Sequence, residues 1–177
     1  MTAIVDGSLG FTAPVGAVYN GLQNSGSVAT TSGTSITVTG IPSWVKRITV
    51  MLNAVSTGGT SNYWLQIGSG SVATTGYVSN SAGATNTGVL GTLSGTLTTA
   101  FMLTNQQGSG ALFSGIITLC NVSGNIWIAS GTLNRGSGSA ANFSAGICTL
   151  GGALDRVAIT TAAGDTFSAG SINVIYE

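Results

Sequence analysis

Asp6, Asp155, Asp165 and Glu177 are the only carboxylates in a chain of 177 residues, and Lys46, Arg47, Arg135 and Arg156 are its only cations. Glycoside cleavage needs two carboxyl groups flanking one bond. Acids spread this widely along the sequence would have to converge in space, so hydrolase or lyase chemistry is not expected. The chain has no histidine, the usual general base near neutral pH and the commonest metal ligand. Cys120 and Cys148 are the two thiols; as nucleophiles they lack a base, and their spacing suggests no metal site. Both fall in expected strands, either bridged to each other or left as small apolar thiols. Met1–Gly10 has no basic start and Phe11–Leu22 no continuous apolar stretch. No secretory signal is therefore expected, which favours free thiols. The expected catalytic, cofactor-binding and metal-ligating residues are none, and the chain is not expected to be an enzyme.

Other side chains with recognisable chemistry have ordinary readings beside them. Neither Gly68-Ser69-Gly70 nor Gly136-Ser137-Gly138 is followed by the Gly-Lys-Ser/Thr that cradles phosphate, so both read as turns. Trp44, Trp64, Trp127, Tyr63 and Tyr77 could stack on sugar rings, but they sit where strand packing or a subunit contact would use them. Asn121 and Asn142 each begin an Asn-X-Ser triplet, which matters only in a secreted eukaryotic protein. Asp155-Arg156 and Lys46-Arg47 hold half of all charges; they read as ion pairs fixing strand register or a subunit contact, or as solvated strand ends. The net charge is zero with no basic run, which argues against binding nucleic acid through its phosphates.

The elements that must position these groups follow from composition and pattern. Hydrophobic residues are 43% of the chain and charged residues only 5%, so neither disorder nor an ordinary charged surface fits. Apolar runs are broken by Gly, Ser, Thr or Asn well short of a membrane span, and no membrane insertion is expected. A surface of Ser, Thr, Asn, Gln and Gly hydrates well but offers little self-repulsion, so the protein reads as built to associate; a monomeric extracellular sandwich is the alternative.

Residues 1–33 read as an extended N-terminal arm, or as an edge strand of the domain that follows; within them Asn24–Thr34 reads as a flexible connection. Residues 34–177 read as one domain. Apolar and polar residues alternate in Ile36–Val38, in Ile48–Ala54 and around Tyr63–Ile67, placing one set of side chains on a core face. Further strands are expected near Gly76–Ser79, Gly88–Leu93 and Leu97–Leu103. In Leu112–Val122 both alternating sets contain apolar residues, which suggests cover on both faces, by the partner sheet and by a neighbouring element or subunit. Ile126–Leu133 follows as its hairpin partner, and Ala145–Leu150, Asp155–Thr161 and Ser171–Tyr176 complete nine to eleven strands. With no helix-period stretch, the expected fold is all-β: an antiparallel β-sandwich, jelly-roll-like.

Two segments carry a family resemblance. Ile41–Ser61 (IPSWVKRITVMLNAVSTGGTS) and Asp155–Glu177 (DRVAITTAAGDTFSAGSINVIYE) resemble the opening and closing of the distal β-domain of tailed-bacteriophage tail fibres and related virion proteins. The resemblance spans about Ser35–Glu177. It implies a virion structural protein, a homotrimer of the tail-fibre or receptor-binding type, assembled in the host cytoplasm with other phage virion proteins. Its polar loops would touch a host surface glycan or protein. It transfers no catalytic residue, no cofactor and no receptor contact. A long repetitive shaft and a baseplate-attachment domain are lacking from the chain, so the same family also implies an alternative: a capsid decoration protein, of the cement or head-fibre type, stabilising the phage head.

Overall fold

The computed structural model describes residues 21–88, 96–105, 108–136 and 140–177, together with the backbone of 4–6 and 10–12. All paired strands are antiparallel. Near the N-terminus, β1 (Ile4–Asp6) pairs with β2 (Gly10–Thr12). A seven-stranded sheet is built from β3 (Gln23–Ala29), β5 (Arg47–Thr57), β8 (Tyr77–Thr85), β10 (Phe113–Ser123), β11 (Ile126–Arg135), β12 (Ala140–Thr149) and β14 (Phe167–Tyr176), in the order β3-β14-β5-β10-β11-β12-β8. The opposing sheet orders β4 (Ser35–Thr39), β13 (Arg156–Thr161), β6 (Tyr63–Ser69) and β7 (Ser71–Val72), with β9 (Phe101–Met102) also on β6. The protein is an all-β sandwich, as its pattern predicts. Among the described residues there is no helix long and apolar enough to cross a membrane.

The core forms where period-two alternation turns apolar side chains inward. From the large sheet come Ile48, Val50, Leu52, Phe113, Ile117, Leu119, Ile172 and Val174; from the small sheet come Tyr63, Leu65, Ile67, Val157 and Ile159. Tyr63 meets Phe113 edge-on at 5.2 Å and stacks on Phe167 at 6.2 Å between ring centres, so the aromatic packing joins both sheets.

The β8–β12 end of the large sheet is filled differently. Beside Tyr77, Ala140 and Cys148, its inward residues include Ser79, Ser81, Asn142 and Ser144, all buried. Against them lies the segment around β9, whose backbone crosses between the sheets and needs hydrogen-bond partners there. Met102 N–H donates to Ser79 Oγ at 3.0 Å, Asn105 N–H to Asn142 Oδ1 at 2.9 Å, and Ser144 Oγ donates to Met102 O. Gly146 faces the same layer, and a Cβ there would stand 2.9 Å from a Phe101 ring carbon. Ser79, Asn142 and Ser144 point inward and bind a buried backbone, while Val78, Phe143 and Ile147 at the alternate positions point outward.

Several sequence expectations are corrected. Asn24–Ala29, expected in a flexible connection, instead belongs to an edge strand, Gln23–Ala29, hydrogen-bonded to β14, which agrees for this part of residues 1–33 with the edge-strand alternative. The strand expected at Gly76–Ser79 runs on to Thr85, and the one expected from Ala145 begins at Ala140. Leu97–Leu103 yields only a single bridge, Leu97 to Ser79, and the two residues of β9. Gly88 lies in a turn, and the rest of the strand expected at Gly88–Leu93 falls outside the described residues.

Candidate functional site

The three described carboxylates are held apart, each with its own partners. Asp155, just before β13, accepts from Arg156 Nε at 2.7 Å and Nη2 at 3.0 Å, and from Gly70 N–H at 3.0 Å. The guanidinium of Arg156 and the Gly70 amide hold this carboxyl below the usual range. Asp165, beyond the other end of β13, accepts from Ser61 N–H at 2.9 Å; a six-residue strand between the two acids corresponds to about 20 Å. Glu177 pairs with Arg47, and their backbones exchange hydrogen bonds of 2.9 and 3.0 Å. Lys46 Nζ donates to Asn121 Oδ1 at 3.1 Å. Both charge pairs flagged in the sequence thus make polar contacts that tie strand ends together at the solvent-facing surface, where screening keeps ion pairs weak. The side chain of Asp6 lies outside the described residues, among which no three metal-ligating groups come together.

The aromatic residues divide between core and surface. Tyr63, Tyr77 and Trp127 are buried, whereas Trp44 and Trp64 are half-buried. Tyr77 reaches from β8 to the other sheet, where its hydroxyl accepts from Ile67 N–H at 2.9 Å and stands 3.0 Å from Ile67 O. Trp44 leans on Tyr176 at 6.5 Å. The cysteines are unbonded: Cys148 faces inward beside Tyr77, where burial pushes its thiol up to about 11, while Cys120 faces outward two strands away. Asn142 is fully buried, so its Asn-X-Ser triplet presents no accessible amide.

Concave features are shallow. An open depression of about 400 Å³ is lined by Ser109, Gly110, Ala111, Leu112, Arg135 and Gly136, and another of about 310 Å³ lies among Ser69, Ser71, Ala73 and Leu150–Gly152. Neither gathers the several convergent polar groups of a small-molecule site.

The most unusual surface is the outer face of β10, β11, β12 and β8. Direct strand partners share a face, so the register defines rows across the sheet. One row is Ile116–Thr132–Phe143–Ala82; the next is Thr118–Ser130–Ala145–Asn80; the third is Cys120–Ile128–Ile147–Val78. Ile116 and Phe143 are each 50% exposed and Val78 is 53% exposed. Two apolar rows about 14 Å apart therefore flank a row of small and polar residues, and none of these side chains is charged. Scattered surface hydrophobics are normal; rows of them on one flat face mark an interaction surface. The sequence signalled part of this face through the doubly apolar Leu112–Val122. The inner half of that reading holds, with Phe113, Ile117 and Leu119 buried. Ile116 and Val122 stand exposed on the other side. The contribution of Phe143, Ile147 and Val78 was missed, because their polar neighbours do not look like core residues.

No family model matches the chain, and none of the curated proteins matches it. Among solved structures, the similar chains include one from infectious bursal disease virus Gx strain, with 9% identity and a TM-score of 0.17 over 89% of this chain and 40% of that one. A mutant VP2 of infectious bursal disease virus in T=1 particles gives 8% identity and a TM-score of 0.16 over 99% and 44%. The chain thus spans less than half the length of these viral proteins.

Proposed function

We propose that the chain is a non-catalytic virion structural protein of the phage tail-fibre or receptor-binding type, assembled as a homo-oligomer, a trimer in the arrangement the resemblance implies. The observation that carries the proposal is the uncharged, largely apolar outer face of β10, β11, β12 and β8, in a molecule whose described carboxylates sit at strand ends rather than in a common pocket. The two segments with the resemblance also form one body: β14 pairs with β5 along Ile48–Thr57, and Ile41 N–H donates to Asp155 O at 3.0 Å. The turns between strands, such as Gly58–Asn62 and Ala73–Gly76, carry mostly Ser, Thr, Gly and Asn and no charge. Contacts of this kind are individually weak and gain strength when several copies bind one surface.

The test is mass spectrometry of purified particles separated into heads and tails. The protein is expected in the tail fraction, and added soluble protein is expected to block particle adsorption. Recovery from heads alone would replace this reading by the capsid-decoration alternative. Absence from both fractions would overturn the virion assignment.

A further inference from the structure

We infer that the outer face of β10, β11, β12 and β8 is covered by the same face of a second copy of this chain. This identifies the contact surface for the assembly proposed above and rests on that reading. The first argument is the inverted polarity of β12 and β8. Asn142, Ser144, Ser79 and Ser81 are buried while Phe143, Ile147 and Val78 are exposed. Binding the β9 backbone explains why the inward set is polar, but it does not explain large apolar side chains on the outward set. Exposed strand positions normally carry polar residues, so these residues call for cover that the described residues do not supply.

The occupant follows from charge, symmetry of pattern and area. A partner must match a face without charged side chains, since an unpaired charge buried against it would be costly. A second copy meets this condition. The two apolar rows lie equally far on either side of the Thr118–Ser130–Ala145–Asn80 row. Turning one face onto another therefore sets apolar rows against apolar rows, with the small residues between them. Four strands about 4.8 Å apart and roughly eight residues rising about 3.4 Å each make a face of roughly 500 Å². The face ends at β5, where Arg47 stands opposite Cys120, so two copies would bury about 1,000 Å² in all, the lower bound of a specific interface. A same-face contact of this kind pairs two copies about a two-fold axis, and a trimer needs a further contact to close.

Sedimentation of the full chain tests it, read against the 17.4 kDa monomer. At about 10 µM the protein is expected to be dimeric or larger, and a Phe143→Ser/Ile147→Ser variant to dissociate at least 100-fold more readily, about 1.4 kcal/mol per tenfold. Both positions are exposed, so the variant's thermal unfolding, measured where each protein is monomeric, should be unchanged. Cys120 supplies a second readout, because it lies in the third row. A thiol reagent should modify it slowly in the assembled protein and faster in the variant, while Cys148 stays protected in both. A monomeric full chain, or an unchanged mass for the variant, overturns the inference. So does a monomer whose face becomes dye-binding only after deletion of residues 1–20, since the arm would then be the occupant. Detection on particles together with a monomeric solution state would remove this contact and leave the virion reading standing.

Discussion

The two ends of the seven-stranded sheet solve the same packing problem in opposite ways. In β14 and β5 the apolar set, Ile172, Val174, Ile48, Val50 and Leu52, faces the core, as a one-sided amphipathic strand should. In the middle of β12 and β8 the inward set is Asn142, Ser144, Ser79 and Ser81, with Tyr77, Ala140 and Cys148 buried nearer the strand ends, while Phe143, Ile147 and Val78 face out. Alternation alone says that a strand has two unlike faces; the neighbouring element decides which one is buried. Where the neighbour is another sheet's side chains, apolar groups win. Where it is the β9 backbone, hydrogen-bonding groups win, because a buried amide or carbonyl left unpaired costs about 1–3 kcal/mol.

The largest effect should separate the inner from the outer phenylalanine. Phe113 is fully buried against Tyr63, and Phe113→Ala should cost about 3–5 kcal/mol in urea unfolding. Phe143 is half exposed, and Phe143→Ala measured on monomeric protein should stay within about 0.5 kcal/mol. Equal losses would mean that the outer ring is also core.

The next test breaks the rule that apolar-inward is better. Asn142→Leu makes β12 look more like an ordinary amphipathic strand, yet it removes the acceptor 2.9 Å from Asn105 N–H and should cost about 1–3 kcal/mol. Gly146→Val should cost a similar amount, about 1–3 kcal/mol, by pushing on Phe101. A stability gain in the leucine variant would remove the account of why this half is inverted.

High pH sharpens the same comparison, because Tyr77 and Cys148 sit together at the inverted end. Burial raises both groups: Cys148 from an ordinary 9.0 to about 11, and Tyr77 well above its ordinary 10.0. Each is a neutral acid held protonated in the fold, so the unfolded chain loses its protons first as pH rises. Their contribution is fully present below about pH 9 and falls as pH rises, with the cysteine alone responsible for about 2 kcal/mol by pH 11. Cys148→Ala should flatten the first part of that decline in chemical denaturation curves and leave the part belonging to Tyr77. A flat profile from pH 8 to about 11 would contradict the burial of both groups.

Much of this fold was legible because β4, β5, β6, β13 and β14 have one polar and one apolar face and pack conventionally. Leu112–Val122 even announced two apolar faces, and the structure leaves the second without a partner among the described residues. The inversion of β12 and β8 was not legible. It depends on a long-range contact with β9, whose few residues have no strand period of their own. The edge strand β3 was hidden in the same way: Gln23–Ala29 is mostly polar, and its ladder to β14 is held by backbone rather than by an apolar stripe. As for the site, the sequence indicated that chemistry was scattered and association favoured, but it placed only β10 on the associating face.

The two ends differ in shape as well as polarity, and the smallest prediction rests on that. Pairings of β14 with β5 and of β5 with β10 contain register shifts, whereas β11–β12 and β12–β8 run without one. At the bulge, Ala54 adopts φ 52° and Gly170 φ 91°, and a Cβ on Gly170 would approach Ala54 O to 2.3 Å. Bulges bend and twist a strand, so curvature gathers at the conventional end; on the proposed contact face β10–β11 shifts register only at its Asn121–Ser123 end, and β11–β12 and β12–β8 stay regular. An alanine in the left-handed region costs about 1–2 kcal/mol, offset in a glycine replacement by about 0.5–1 kcal/mol of extra unfolded-state freedom. Ala54→Gly should therefore raise stability by under about 1 kcal/mol without changing oligomer size, because the bulge serves the core and not the associating face. A glycine variant that loses assembly while keeping its melting temperature would show instead that curvature at one end sets the contact surface at the other.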